Sequence, residues 1–105
     1  MNIQFKKGAL ELCVLALLSR KDCYGYEMAE ALERALAVAE GTVYPLLKRL
    51  KDEGYVTTYL VESQEGPPRK YYAISRQGQT RYKDLSADWK EFKTAVDTLM
   101  EQDND

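Results

Sequence analysis

Residues Gly41 to Gly54, GTVYPLLKRLKDEG, spell a helix with two unlike faces. Val43, Leu46, Leu47 and Leu50 recur at i, i+3, i+4 and i+7, the spacing of a helix with one buried side. Thr42, Tyr44, Lys48, Arg49 and Lys51 occupy the rest: a hydroxyl, a phenol and three cations. A core can hold one side while the other offers hydrogen-bond donors to something polar and anionic. The start falls between Ala39 and Thr42. If Thr42 caps the helix, Pro45 stands at the tolerated third position; a start at Ala39 implies a bend near Gly41, because a deeper proline removes a hydrogen bond. Gly54 suits the left-handed position that ends a helix.

Upstream, a short joint of Ala37 to Glu40 links this helix to another that follows Tyr24-Gly25-Tyr26 and runs to about Leu36. Its inward positions are Met28, Ala29, Leu32, Ala35 and Leu36. Glu27, Glu30 and Glu33 face water, and Glu30 with Arg34 makes an i, i+4 pair. Before it, about Lys7 to Ser19 form a helix with Leu10, Cys13, Val14, Leu17 and Leu18 on one side, widened by Leu12, Leu15 and Ala16. A helix apolar most of the way round is central, or touches a second subunit, or both. Residues 1 to 5 are expected to be disordered or loosely docked, and Arg20 to Cys23 to be a polar connection.

Downstream, Tyr55 to Ser63 and Arg69 to Ser75 are rich in Val, Thr and Tyr and flank the turn cluster Gln64-Glu65-Gly66-Pro67-Pro68. This pattern is a hairpin of two strands. Three helices and then a hairpin is the order of a winged helix-turn-helix. Ser75 can cap a last helix over residues 76 to 101. Tyr82, Leu85, Trp89, Phe92, Val96 and Leu99 follow one another at spacings of 3, 4, 3, 4 and 3, a heptad seam. At 1.5 Å per residue the helix is about 39 Å long, more than so small a domain covers. Such a seam asks for a partner helix, and a second copy of the chain is the simplest one.

The fold class expected is therefore mainly α with a two-stranded β-hairpin wing: a winged helix-turn-helix over residues 1–75, then a long C-terminal dimerisation helix and acidic tail over 76–105. A net charge of −2 speaks at first against a nucleic-acid partner. The charge is uneven, however. Residues 84 to 105 carry two Lys against seven Asp/Glu, leaving the remainder with thirteen Lys/Arg against ten Asp/Glu. The acidity sits in the tail, and the global charge says little about the surface that matters. The longest apolar run, Leu12 to Leu18, is far short of the ~20 residues of a membrane span. A cytoplasmic protein with no membrane partner is expected.

No histidine, CxxC pair or Gly-rich phosphate loop is present, so the sequence offers no catalytic constellation, no metal site and no cofactor. Cys13 lies in the most apolar stretch and acts as a small hydrophobe; a redox role for Cys23 is left open. In a helix-turn-helix, the start of the second helix reaches base edges while flanking cations hold phosphates. Thr42 and Tyr44 are thus candidates for base or phosphate contact, Lys48 and Arg49 for contact further along, and Arg69 and Lys70 for a grip on the backbone at the wing. The bland alternative for this helix is a solvated amphipathic one. Trp89 is open to two readings: a dimer-core residue, or the wall of a cavity for a flat aromatic ligand.

GALELCVLALLSRKDCYGYEMAEAL, EGTVYPLLKRLKDEGYV and GPPRKYYAIS followed by Gly78 together resemble the PadR-like transcriptional regulators, over about Gly8 to Gly78. The resemblance implies a dimeric winged-helix protein, usually a repressor, that binds a palindromic operator in double-stranded DNA and releases it when a small molecule binds. The single C-terminal helix is similar to the family's smaller, multidrug-responsive branch. There, a tryptophan of the last helix from each subunit stacks planar aromatic compounds at the dimer centre. Trp89 in LSADWKEF stands in a comparable place, with Phe92 beside it as a further candidate effector contact. Leu10, Val14, Tyr82, Leu85, Trp89, Phe92, Val96 and Leu99 are the expected dimer interface. The competing reading is a winged-helix dimer that serves as a protein-interaction module without binding DNA.

Overall fold

The computed structural model describes residues 3–102, arranged as α1 (Ile3–Arg20), β1 (Cys23–Tyr24), α2 (Gly25–Leu36), α3 (Glu40–Asp52), β2 (Val56–Val61), β3 (Arg69–Ile74) and α4 (Arg76–Glu101). The expected helices and hairpin are all present. α1 begins at Ile3, earlier than the apolar pattern announces, so of the first five residues only 1 and 2 lie outside the description. Asn104 and the other tail residues 103–105 lie outside it too.

The sheet has three strands, not two. Cys23 and Tyr24, within what reads as a polar connection, pair antiparallel with Tyr72 and Tyr71, giving the order β1-β3-β2. β2 and β3 pair from Val56↔Ile74 to Val61↔Arg69. Side chains alternate across a strand, so Val56, Tyr72 and Ile74 turn to the helices while Tyr24, Tyr59 and Tyr71 share the other face. On that face Tyr71 stacks between Tyr24 and Tyr59, at 5.9 and 5.7 Å between ring centroids. The Tyr59 hydroxyl donates to Asp22 at 2.6 Å.

One core joins the helices to the sheet. Leu10, Val14, Leu15 and Leu18 of α1 meet Met28, Ala29 and Leu32 of α2, Val43, Leu47 and Leu50 of α3, and Val56 and Tyr72 of the sheet. Leu10 and Val14, expected at the subunit boundary, are buried within the protomer itself. α1 is apolar most of the way round because α2, α3, β3 and α4 surround it. Tyr82 and Leu85 also pack against this core. Only the later part of the heptad seam stands clear of it: Trp89 is 45% exposed, Phe92 63%, Leu99 69% and its neighbour Met100 72%. Val96 is half-buried.

Two glycines and a serine fix where α4 leaves. Gly54 has φ +85, and its N–H bonds to the Lys51 carbonyl while Tyr55 N–H bonds to that of Leu50, the paired closure of a helix end. Ser75 Oγ accepts the Gly78 N–H at 3.0 Å and donates to the Gly54 carbonyl at 2.6 Å, so one hydroxyl joins the end of α3 to the start of α4. A β-carbon on Gly78 would lie 2.1 Å from the Tyr55 carbonyl oxygen, so only glycine lets α4 pass so close to the end of α3.

Candidate nucleic-acid interface

The joint between α2 and α3 is three residues long. Ala37 closes α2 in the left-handed region at φ 56, its N–H bonded to the Glu33 carbonyl at 2.8 Å. Val38 plugs the core and Ala39 starts the next helix from an extended conformation. A non-glycine residue in that region costs roughly 1–2 kcal/mol. Burial of Val38 offsets it and sets the turn between the two helices. α3 begins at Glu40, so Pro45 is the sixth helical residue and not in the first turn. The helix is continuous through it from Glu40 to Asp52, and the Thr42 N–H closes a tighter bond to the Ala39 carbonyl at 2.9 Å.

Val43, Leu47 and Leu50 hold α3 against the core, leaving Thr42, Tyr44, Pro45 and Lys48 exposed. Lys48 Nζ pairs with Asp52 at 2.9 Å, but both side chains are well exposed, and such an i, i+4 pair is easily exchanged for another anion. Tyr44 lines an open recess of about 340 Å³ together with Tyr24, Gly25, Tyr26, Lys70 and Tyr72. Partial burial, with the charge of Glu40, pushes the Tyr44 phenol above its usual pKa of 10.0 and keeps it a hydrogen-bond donor at neutral pH. The recess thus joins α3, the first residues of α2 and the wing strand β3.

Two of the expected contacts separate from this group. Arg69 and Lys70 are neighbours in a strand, and the strand turns them to opposite faces. Lys70 joins Tyr44 in the recess; the Arg69 guanidinium lies 5.0 Å from the centroid of the Tyr24 ring on the tyrosine face. Arg49 is engaged elsewhere. Its Nη2 donates to Glu11 of α1 at 2.8 Å, and its Nη1 to both Glu53 oxygens at 3.1 and 3.2 Å. The second Glu11 oxygen accepts from Nε of Arg81, on α4, at 2.7 Å. Burial pushes the Glu11 carboxyl up, but the hydrogen bonds and charges of Arg81 and Arg49 more than offset this and leave its pKa below the usual 4.5.

In the sequence, Tyr24, Gly25 and Tyr26 only precede a helix. Their place beside Tyr44 depends on the two-residue strand β1, too short to leave a periodic signal. Glu11 gives no signal either, since one acid on an apolar helix reads as a solvated residue. Trp89 lines a second recess of about 300 Å³ with Glu11, Leu12, Arg81, Leu85 and Asp88, while the exposed Phe92 is not among its walls. Among the described residues no helix is long and apolar enough to cross a membrane.

Comparison with known proteins agrees with this architecture. The chain is 35% identical to a PadR-like transcriptional regulator of Bacillus cereus, whose structure superposes with a TM-score of 0.86 over 95% of this chain and 99% of that one. It is 25% identical to Bacillus subtilis PadR, solved in complex with operator DNA, with a TM-score of 0.67 over 73% of this chain and 45% of that one. Among curated proteins it is 33% identical over 78 residues to the transcriptional regulator YqjI of Escherichia coli, covering 70% of this chain and 36% of the relative. The profile of the transcriptional regulator PadR-like family matches residues 14–84, from the core of α1 through the wing to the first turns of α4. With its winged helix-turn-helix and long C-terminal helix, the chain belongs to the PadR-like family of transcriptional regulators.

Proposed function

We propose that this chain is a homodimeric repressor that binds a palindromic operator in the cytoplasm and is released by a planar aromatic effector. Residues 1–75 are the DNA-binding unit, and residues 76–105 the dimerisation helix and acidic tail. The observation that carries this reading is the meeting of Tyr44 of α3 with Lys70 of the wing across one recess, with Thr42 and Lys48 exposed on the same helix. Hydroxyl donors at the start of the helix and cations flanking it suit base edges and phosphates in a major groove. The complex of Bacillus subtilis PadR with operator DNA supports the same partner.

Dimerisation is supported by the exposed stripe of Trp89, Phe92, Leu99 and Met100 on the free part of α4, an apolar surface that a second copy would cover. Two α3 helices would then enter grooves about 34 Å apart. Trp89 and Phe92 are the proposed effector contacts.

The test is fluorescence anisotropy with labelled DNA from upstream of the gene, at two salt concentrations and with scrambled competitor, while light scattering reads the oligomeric state. Specific binding by a dimer that weakens steeply with salt is expected. Lys48→Ala should lower affinity and leave the dimer intact. Binding that ignores salt and sequence, or survives Lys48→Ala unchanged, refutes the assignment of α3 and favours the protein-interaction module.

A further inference from the structure

Besides Ser75, which ties the end of α3 to the start of α4, one carboxylate touches both helices along their lengths. Glu11 projects from α1, the helix the core surrounds, and its side chain is only 14% exposed. Each oxygen serves a different helix: Oε1 takes Nη2 of Arg49 on α3 at 2.8 Å, and Oε2 takes Nε of Arg81 on α4 at 2.7 Å. Both partners are held a second time. Arg49 also grips Glu53 at the end of α3, and the Arg81 guanidinium stands 5.6 Å from the centroid of the Tyr55 ring, just beyond that end. The same carboxylate and Arg81 then form walls of the recess that Trp89 lines.

We propose that Glu11 is a positioning residue, a joint through which the placement of α4 around Trp89 and the placement of the recognition helix α3 are coupled. The inference rests on the reading of α3 as the DNA-contacting helix. A carboxylate held between two guanidinium groups in a largely covered place cannot follow one arginine without drawing on the other. Moving α4 at Arg81 therefore shifts the hydrogen bond to Arg49, and docking α3 on DNA shifts Arg81. Such coupling is reciprocal for binding free energies. Arg49 takes its role here from α1 and α4, so its contribution to DNA binding is to hold α3 in place. Glu11→Gln keeps the shape and removes the charge, leaving two cations face to face with no anion between them.

The chain has one tryptophan, so its emission reports Trp89 alone, at the recess it shares with Glu11 and on the face proposed for the second copy. The experiment titrates operator DNA into the full chain and follows Trp89 emission and acrylamide quenching, with anisotropy recording binding. It is repeated for Glu11→Gln and for Arg81→Met, a change on a more exposed side chain that guards against a misfolded variant; circular dichroism checks both. The wild-type emission is expected to change on DNA binding, and that change to fall by about half or more in both variants while each still binds DNA. A tryptophan silent to bound DNA in the wild type, or a response undiminished in the folded variants, overturns the joint. A staple that only added stability would leave the response intact.

A second arm needs no DNA. Arg49→Met should alter acrylamide quenching of Trp89 when Glu11 is present and do nothing further in combination with Glu11→Gln. If the wild type binds no DNA but this coupling is found, the reading of α3 fails and the joint stands. If the two substitutions act independently, the joint is overturned whatever the DNA result.

Discussion

Replacing Gly78 by alanine puts the approach of α4 to α3 under a direct test. In an open helix the change stabilises by about 1 kcal/mol, since glycine is the poorer helix former. Here the added β-carbon would sit 2.1 Å from the Tyr55 carbonyl oxygen and 2.7 Å from Cγ1 of Ile74. The nearer atom is backbone and is already engaged, accepting the Ser75 N–H at 3.0 Å. Relief requires α4 to back away by about an ångström, which strains the packing at roughly 1–3 kcal/mol or somewhat more. It also loosens the Ser75 bond, worth about 1 kcal/mol. After the helix-propensity gain, a net loss of about 1–3 kcal/mol remains. For a domain of this length, that lowers Tm by about 5–20 °C. Urea and thermal unfolding at one fixed protein concentration measure it, because dimerisation would make both concentration-dependent. Gly41→Ala is the control: nothing lies within 4 Å of its β-carbon, so it should raise stability by about 0.5–1 kcal/mol. A Gly78→Ala protein as stable as the wild type would refute the close approach and the geometry of α4 built on it.

Ser75→Ala removes the cap on the Gly78 N–H and the bond to the Gly54 carbonyl, and should cost about 1–2 kcal/mol in urea unfolding, with Ser75→Thr recovering most of it. The depressed Glu11 carboxyl predicts an acid dependence. Its folded pKa lies below the ordinary 4.5, so its contribution is whole above that value and lost as pH falls through the folded one. Glu11→Gln should therefore flatten the decline in urea midpoint below pH 4.5, and an unchanged slope would show that the carboxylate is not held as described. For DNA binding, Lys70→Ala should lower the log–log salt slope by roughly 0.9 per protomer. Arg69→Ala, on the opposite face over Tyr24, should change it less; the reverse order would contradict the split between the two faces.

The elements were largely legible because each carries its own period. Val43, Leu46, Leu47 and Leu50 announce α3, and Ser75 and Gly54 mark helix ends whose hydrogen bonds the structure bears out. Extended strands with a Gly-Pro-Pro turn announce the wing. The same local signals misplace what depends on neighbours. Leu10 and Val14 look like a free apolar face, since nothing in one helix tells whether its cover comes from its own chain. Pro45 sits deeper in α3 than its cost in an isolated helix suggests, in a helix that Val43, Leu47 and Leu50 hold against the core.

Periodicity and composition were enough to specify which segments are helix or strand, and that α3 joins an apolar side to a cationic one, because those properties belong to residues a few positions apart. Contacts across dozens of positions needed the folded chain. Tertiary packing paired β1 with β3 and brought Tyr24 to Tyr44. It sent Lys70 into the recess and Arg69 to the far face, and it drew Arg49 and Arg81 onto the two oxygens of Glu11. A charge on a helix surface looks the same in sequence whether water or another helix lies opposite, and only the arrangement of helices in space decides which it meets.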